Sequence, residues 1–177
     1  MAKRPLSLSK VYTLLESGAV IMVTTAYKGK SNIMTMSWHT MMDFEPPFVG
    51  FVMSDRNYSF GLLSKSRECG INIPTVEIAE KAVACGRIHG GKINKFEKFG
   101  LTPGISSIIG VPLIEECYAS FECRVADTKM VNKYGFFVVE VVKAWIDKAI
   151  KNPQTLHHLG GNNFMVAGKR IQIKSPK

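Results

Sequence analysis

An antiparallel β-barrel with short helices at its rim is the fold class this sequence predicts. Three observations carry that expectation. Six or more segments are rich in β-branched and aromatic residues, and turn formers rather than long helices separate most of them. The segment from Ala19 to Tyr27 is apolar on both faces, as a strand built into a barrel wall must be. No internal repeat, low-complexity stretch or interdomain linker divides the chain, so residues 1–177 read as one domain with a basic tail from about residue 170.

The elements follow in order. Leu8, Val11, Leu14 and Leu15 have helical spacing between a candidate cap at Ser7 or Ser9 and a stop at Gly18, which predicts a lead helix over Leu6 to Ser17. Ala19 to Tyr27 then turns at Lys28-Gly29-Lys30 into a second strand that runs to Pro46 and Pro47, and Phe48 to Ser54 makes a third. Asp55 to Ser66 is expected to be loop and short helix capped at Asn57. Cys69 to Ile73 is a fourth strand, and Thr75 to Ile88 a helix. From His89 to Val111 the chain is loop-like with one helical turn at Asn94 to Phe99, and a loop of that length is commonly functional. Ala119 to Met130 and Phe136 to Ile146 are long strands around a hairpin turn at Asn132 to Gly135, and Asn163 to Ile173 is the last strand.

Charge excludes less than it first suggests. The net charge of +9 comes entirely from residues 1–10 and 148–177, since residues 11–147 hold 14 basic and 14 acidic residues. A nucleic-acid reader carries its basic stripe on a folded element, so solvated basic ends explain the excess and no specific nucleic-acid partner is expected. The segment MAKRPLSLSK lacks the apolar centre of a signal peptide, and no run approaches the length of a membrane span. Cytoplasmic location without membrane insertion is the expectation. Cys69, Cys85, Cys117 and Cys123 lack CxxC spacing and read as reduced, mostly buried thiols.

Familiar catalytic motifs are missing: there is no GxSxG, P-loop, HExxH or GxGxxG after a strand. Gly86-Arg87-Ile88-His89-Gly90-Gly91-Lys92 suggests a phosphate loop at first glance, but it follows a helix. His157 and His158 would point apart on a strand and have no other ligand type nearby, so no metal site is expected, and no catalytic side chain is assigned. The unusual stretch is SNIMTMSWHTMMDFEPP. On a strand Asn32, Met34, Met36 and Trp38 share one face and Ile33, Thr35 and Ser37 the other, so neither face is cleanly apolar. Together with Arg56, Asn57 and Ser59 after the third strand and Lys95 in the long loop, these residues suit a flat heteroaromatic ligand that carries a phosphate.

The order of segments VTTAYKGKSNIMTMSW, EPPFVGFVMSDRNYSFGLL, CGINIP and KFEKFGLTP resembles the flavin reductase-like FMN-binding split barrels, and within them the flavoredoxin group. The likeness runs from about Pro5 to Ile146, with a weaker match at Asn163 to Gly168. It implies a mainly β, Greek-key split barrel that acts as a homodimer with one FMN per subunit, near the subunit interface. Carried over by residue, Asn32 stands beside the ring, Met34 and Thr35 to Trp38 form the strand facing it, and Arg56, Asn57 and Ser59 lie near the ribityl phosphate. Lys95 lies near the flavin, Phe164 covers it, and Tyr134 takes the place where some relatives have histidine. The activity implied is electron or hydride transfer through FMN from NADH, NADPH or a protein donor to free flavin, ferric complexes or a redox-protein partner. A non-catalytic ligand-binding barrel, brought to an anionic partner by its basic ends, is the alternative.

Overall fold

The computed structural model of the chain describes residues 4–11 and 18–173. Its strands are β1 (Arg4–Leu6), β2 (Ile21–Tyr27), β3 (Lys30–Met36), β4 (His39–Phe44), β5 (Pro47–Val52), β6 (Glu68–Ile73), β7 (Pro103–Gly104), β8 (Leu113–Ile114), β9 (Ala119–Asp127), β10 (Phe136–Ile146), β11 (Leu156–His158) and β12 (Phe164–Val166). The helices are α1 (Tyr58–Ser66), α2 (Ala79–Arg87), α3 (Lys95–Lys98) and α4 (Val131–Tyr134).

One antiparallel sheet dominates, in the order β3-β2-β6-β9-β10-β5-β4, with β1 added on β10. β3 and β4 lie at opposite ends of this hydrogen-bonded path, yet only Ser37 and Trp38 separate them in the chain. Two intervening residues reach about 10 Å, so the sheet must curl until its ends face each other. They face each other without pairing in the sheet, and the barrel keeps an open seam.

The core follows the period of two. Ile21 and Val23 of β2 point into the barrel with Phe51, Ile71, Phe121, Phe137 and Val139, all of them buried. Met22 points outward and is covered by Ala82 and Cys85 of α2, with Ile33 of β3, Phe96 and Ile114. Both faces of β2 are therefore in apolar surroundings, as its composition requires.

Several element boundaries differ from the sequence reading. The stretch from Ser31 to Pro47 is two strands rather than one, because it must leave β2 at one side of the seam and join β5 at the other. Of the lead helix, only a strand at Arg4–Leu6 and a 3-10 turn at Leu8–Lys10 fall among the described residues, and 12–17 lie outside them. The helix expected from Thr75 begins as a 3-10 turn and becomes α-helical at Ala79. Between β9 and β10 the hairpin turn is a turn of helix, α4, closed by Gly135 at φ 64°. That glycine is required, since a Cβ there would sit 2.6 Å from the Met53 carbonyl oxygen. The last strand shrinks to Phe164–Val166 and pairs with Leu156–His158, which the sequence reading missed, as a separate hairpin.

Candidate functional site

A cleft opens along the seam, beside the unpaired edge of β3. Its larger lobe has a volume of about 440 Å³ and is walled by Met34, Met36 and Trp38 from the seam, Val83 from α2 and Phe164 from the β11–β12 hairpin. A smaller lobe of about 190 Å³ lies toward α1 and the loop after α2, among Asn32, Tyr58, Cys85, His89 and Lys95. Met34, Thr35, Asn57, Gly86 and Arg87 line both, so the two are continuous. Among the described residues, no Asp or Glu lines either lobe. The larger falls within the range of roughly 300–1,000 Å³ that small-molecule sites occupy.

Local structure explains how these groups come together. An edge strand presents main-chain groups on its unpaired side, and Lys95 donates from Nζ to the Ile33 carbonyl of β3 at 2.7 Å. The same ammonium donates to the Cys85 carbonyl at 2.5 Å. That carbonyl belongs to the last turn of α2, where helical partners run out, so Lys95 caps the helix C-terminus and opposes the negative end of its dipole. Lys95 is 3% exposed and no carboxylate is bonded to it among the described ion pairs. Burial pushes its ammonium down from the ordinary lysine value, against a smaller upward pull from Cys85. The Cys85 thiol is pushed up to about 11, chiefly by burial, and remains protonated at neutral pH.

Asn32 is the other open group. Its amide nitrogen donates to Ser59 Oγ at 2.9 Å, and Thr25 donates to the same oxygen at 3.0 Å. Its side-chain oxygen is buried without a partner. A Cβ on Gly90 would overlap that oxygen, so the loop after α2 approaches Asn32 as closely as glycine permits. Thr35 donates to the Ala82 carbonyl at 2.6 Å and fastens β3 to α2. At the far side of the cleft, His158 and Phe164 pack with ring centroids 5.1 Å apart, and Arg87 donates to the side-chain oxygen of Asn162 at the hairpin tip.

Most of the residues singled out in the sequence converge here. Asn32, Met34, Thr35, Met36, Ser37, Trp38, Asn57, Lys95 and Phe164 line the cleft, with Trp38 itself 72% exposed. Ser59 stands behind Asn32 and is fully buried. Arg56 and Tyr134 line neither lobe, and Tyr134 is 57% exposed on α4. Arg87, His89, Tyr58 and the β11–β12 hairpin were missed. A signal for the first two existed in the glycine-rich run after Cys85, set aside because it follows a helix.

The flavin reductase like domain model matches residues 15–164. An uncharacterised protein of Escherichia coli K12, YddH, is 30% identical over 181 residues, covering 94% of this chain and 96% of its own length. Among solved structures, an FMN-binding domain of a flavin reductase-like enzyme from Shewanella baltica superposes with a TM-score of 0.92 at 22% identity, over 98% of each chain. The flavoredoxin of Desulfovibrio vulgaris (Miyazaki F) superposes with a TM-score of 0.79 at 18% identity, over 88% of this chain and 90% of its own.

Proposed function

The chain belongs to the flavin reductase-like family and has the antiparallel split-barrel fold, and from that premise we propose that it binds FMN in the seam cleft and works as a flavin-dependent oxidoreductase. The observation that carries the reading is the cleft's division into an apolar lobe walled by Met34, Met36, Trp38 and Phe164 and a polar lobe with an unpartnered Asn32 oxygen and no acid among its described residues. A flavin nucleotide has that distribution: a flat ring, a chain of hydroxyls and an anionic end. Bound FMN supplies the hydride and electron chemistry.

The residues of this chain position it. Met and Trp side chains press on ring faces and edges, and the edge of β3 offers main-chain groups to the ring's heteroatoms. The Asn32 oxygen takes a hydrogen bond from a ligand N–H or O–H, which ends its unsatisfied state. Phe164 and the exposed Trp38 shield the cleft mouth from water. The electron donor in this proposal is NADH, NADPH or a redox protein. The acceptor is free flavin, a ferric complex or a redox partner. We extend the proposal to a cytoplasmic homodimer, because Trp38, Met42 and Phe44 are large, exposed apolar side chains beside the seam.

The absorbance spectrum of the purified protein, followed by anaerobic titration with NADH and with NADPH, tests the function. A yellow protein with FMN at one equivalent per chain, bleached by one of the two nucleotides or by a protein reductant, is expected. A protein that stays colourless with FMN removes the flavin reading. One that binds FMN and is reduced by no donor returns the non-catalytic barrel. Light scattering tests the dimer, which a monomer mass for the loaded protein would refute.

A further inference from the structure

We infer that the β11–β12 hairpin is a flap over the larger lobe of the cleft, and that Asn162 at its tip is a positioning residue whose bond to Arg87 sets how fast FMN enters and leaves. The inference rests on the FMN reading above and adds the moving part. Three observations carry it.

The first is where the hairpin is held. Its base is tied to the body by main-chain bonds: the Val20 N–H donates to the Leu156 carbonyl at 2.6 Å, the Val76 N–H donates to the Gln154 carbonyl at 2.9 Å, and Thr75 bridges to Thr155. Its tip, residues 159–163, has one hydrogen bond to the rest of the chain beyond the hairpin among the described residues, from the Arg87 guanidinium to the Asn162 side-chain oxygen. Base and tip therefore stand at opposite ends of α2, since Thr75 and Val76 precede that helix and Arg87 ends it. The nine residues of α2 span about 13 Å, and Leu156 to Gly160 cover about the same distance at roughly 3.3 Å per residue.

The second is what the hairpin faces. Strand alternation turns the paired His158 and Phe164 toward the cleft, which both line, and the paired His157 and Met165 away from it, with Met165 51% exposed. Among the described residues the hairpin joins no strand of the barrel sheet. Its inner side chains roof the larger lobe without belonging to the barrel wall.

The third is how little holds it shut. The turn is closed by its own bonds, from the Leu159 N–H to the Asn163 carbonyl and from the Asn163 N–H to the Gly160 carbonyl, so the tip moves as a unit. The ladder has three residue pairs, and a two-stranded hairpin without a sheet behind it is marginal in water. One side-chain bond at an exposed tip then decides how often the flap opens. Asn162 lines neither lobe, so its bond acts alike on the empty and the loaded protein. Loosening it changes the rates of exchange and leaves affinity alone.

The test measures FMN association by stopped-flow fluorescence quenching and dissociation by dilution, in the full-length protein. Asn162→Ala should raise both rates by the same factor, about three- to tenfold for one lost hydrogen bond, with Kd changed by less than about twofold. Asn162→Asp offers Arg87 a carboxylate and should slow both. In the ligand-free protein, hydrogen exchange of residues 156–166 should quicken in Asn162→Ala and slow in Asn162→Asp, while β2 and β9 keep wild-type protection. Asn162 is exposed, so neither variant disturbs the core. Wild type that fails to quench FMN defeats the FMN reading itself. Wild-type rates and wild-type hydrogen exchange in Asn162→Ala overturn the flap alone and make the hairpin a fixed wall. Weaker binding carried by dissociation alone also overturns it, by making Asn162 a ligand contact.

Discussion

Two buried ionisable side chains, one on β9 and one on α3, are treated in opposite ways. Glu122 of β9 is fully buried and accepts from the Ser107, Ile108 and Ile109 amides, the Ser107 hydroxyl and the Trp145 indole, at 2.7–3.2 Å. Burial pushes its carboxyl up, but those donors outweigh burial and hold it below the ordinary value. Lys95 is nearly as deeply buried, holds two carbonyls, faces a cleft and meets no anion among the described residues. A closed hydrogen-bond set marks a structural charge and an open one marks a charge waiting for a ligand.

Removing the structural charge should have the largest effect. Glu122→Ala leaves three amides and an indole N–H without their acceptor and releases the 105–111 loop. A loss on the order of 3 kcal/mol or more in urea melts is expected. Because the folded carboxyl titrates low, this stabilisation is complete above the unfolded value of 4.5 and declines as pH falls below it. A loss of only a few tenths would show that water replaces the carboxylate.

Gly90→Ala breaks the open side by steric means. The new Cβ must displace the Asn32 side chain and with it the bond to Ser59. Overpacking of this kind costs roughly 1–3 kcal/mol, and flavin affinity should fall with it. An alanine variant with wild-type FMN binding would mean that Asn32 does not touch the ligand.

Much of this contrast could be read in the residues and part could not. The mixed faces of Asn32 to Trp38 predict a strand that is not wholly core, and the strand does border the cleft. Where the chain broke was hidden, because Ser37 and Trp38 carry no Gly or Pro signal, and only closure of the sheet forces β3 and β4 apart. The glycine-rich run from Gly86 to Lys92 was visible, and its Arg87 and His89 line the cleft. A helix C-terminus repels anions, and nothing in the local sequence reveals that Lys95, ten residues after Cys85, returns to cap that end. Glu122 has no local sequence signal, since all its donors come from residues 107–109 and Trp145.

Lys95→Met sharpens the comparison from the ligand side. Exchanging an uncompensated buried charge for an apolar side chain of similar length recovers desolvation while surrendering two hydrogen bonds to carbonyls beside a wet lobe. The ligand-free protein should change by less than about 1 kcal/mol, although FMN binding suffers. Destabilisation as large as that of Glu122→Ala would show that Lys95 is a structural staple and that the two regions do not differ.

His39 supplies the smallest and most specific effect, from the start of β4 beside the seam. Its Nε2–H donates to the Ala19 carbonyl at 2.6 Å, which ties β4 to the residues leading into β2, and its Nδ1 is buried without a partner. Burial pushes the imidazole below its ordinary value of 6.5, and the Ala19 bond recovers part of the shift. The folded chain therefore keeps His39 neutral where the unfolded chain takes up a proton. Its contribution is fully present above pH 6.5 and is lost as pH falls through the window below it, with a slope no steeper than about 1.4 kcal/mol per pH unit for one proton. His39→Gln keeps a donor for Ala19 and removes the titration, so urea melts of wild type and variant between about pH 7.5 and 5.5 should converge as the acid destabilises only the wild type. Parallel curves would assign the seam's acid sensitivity to other groups and leave His39 as a simple tie across the opening.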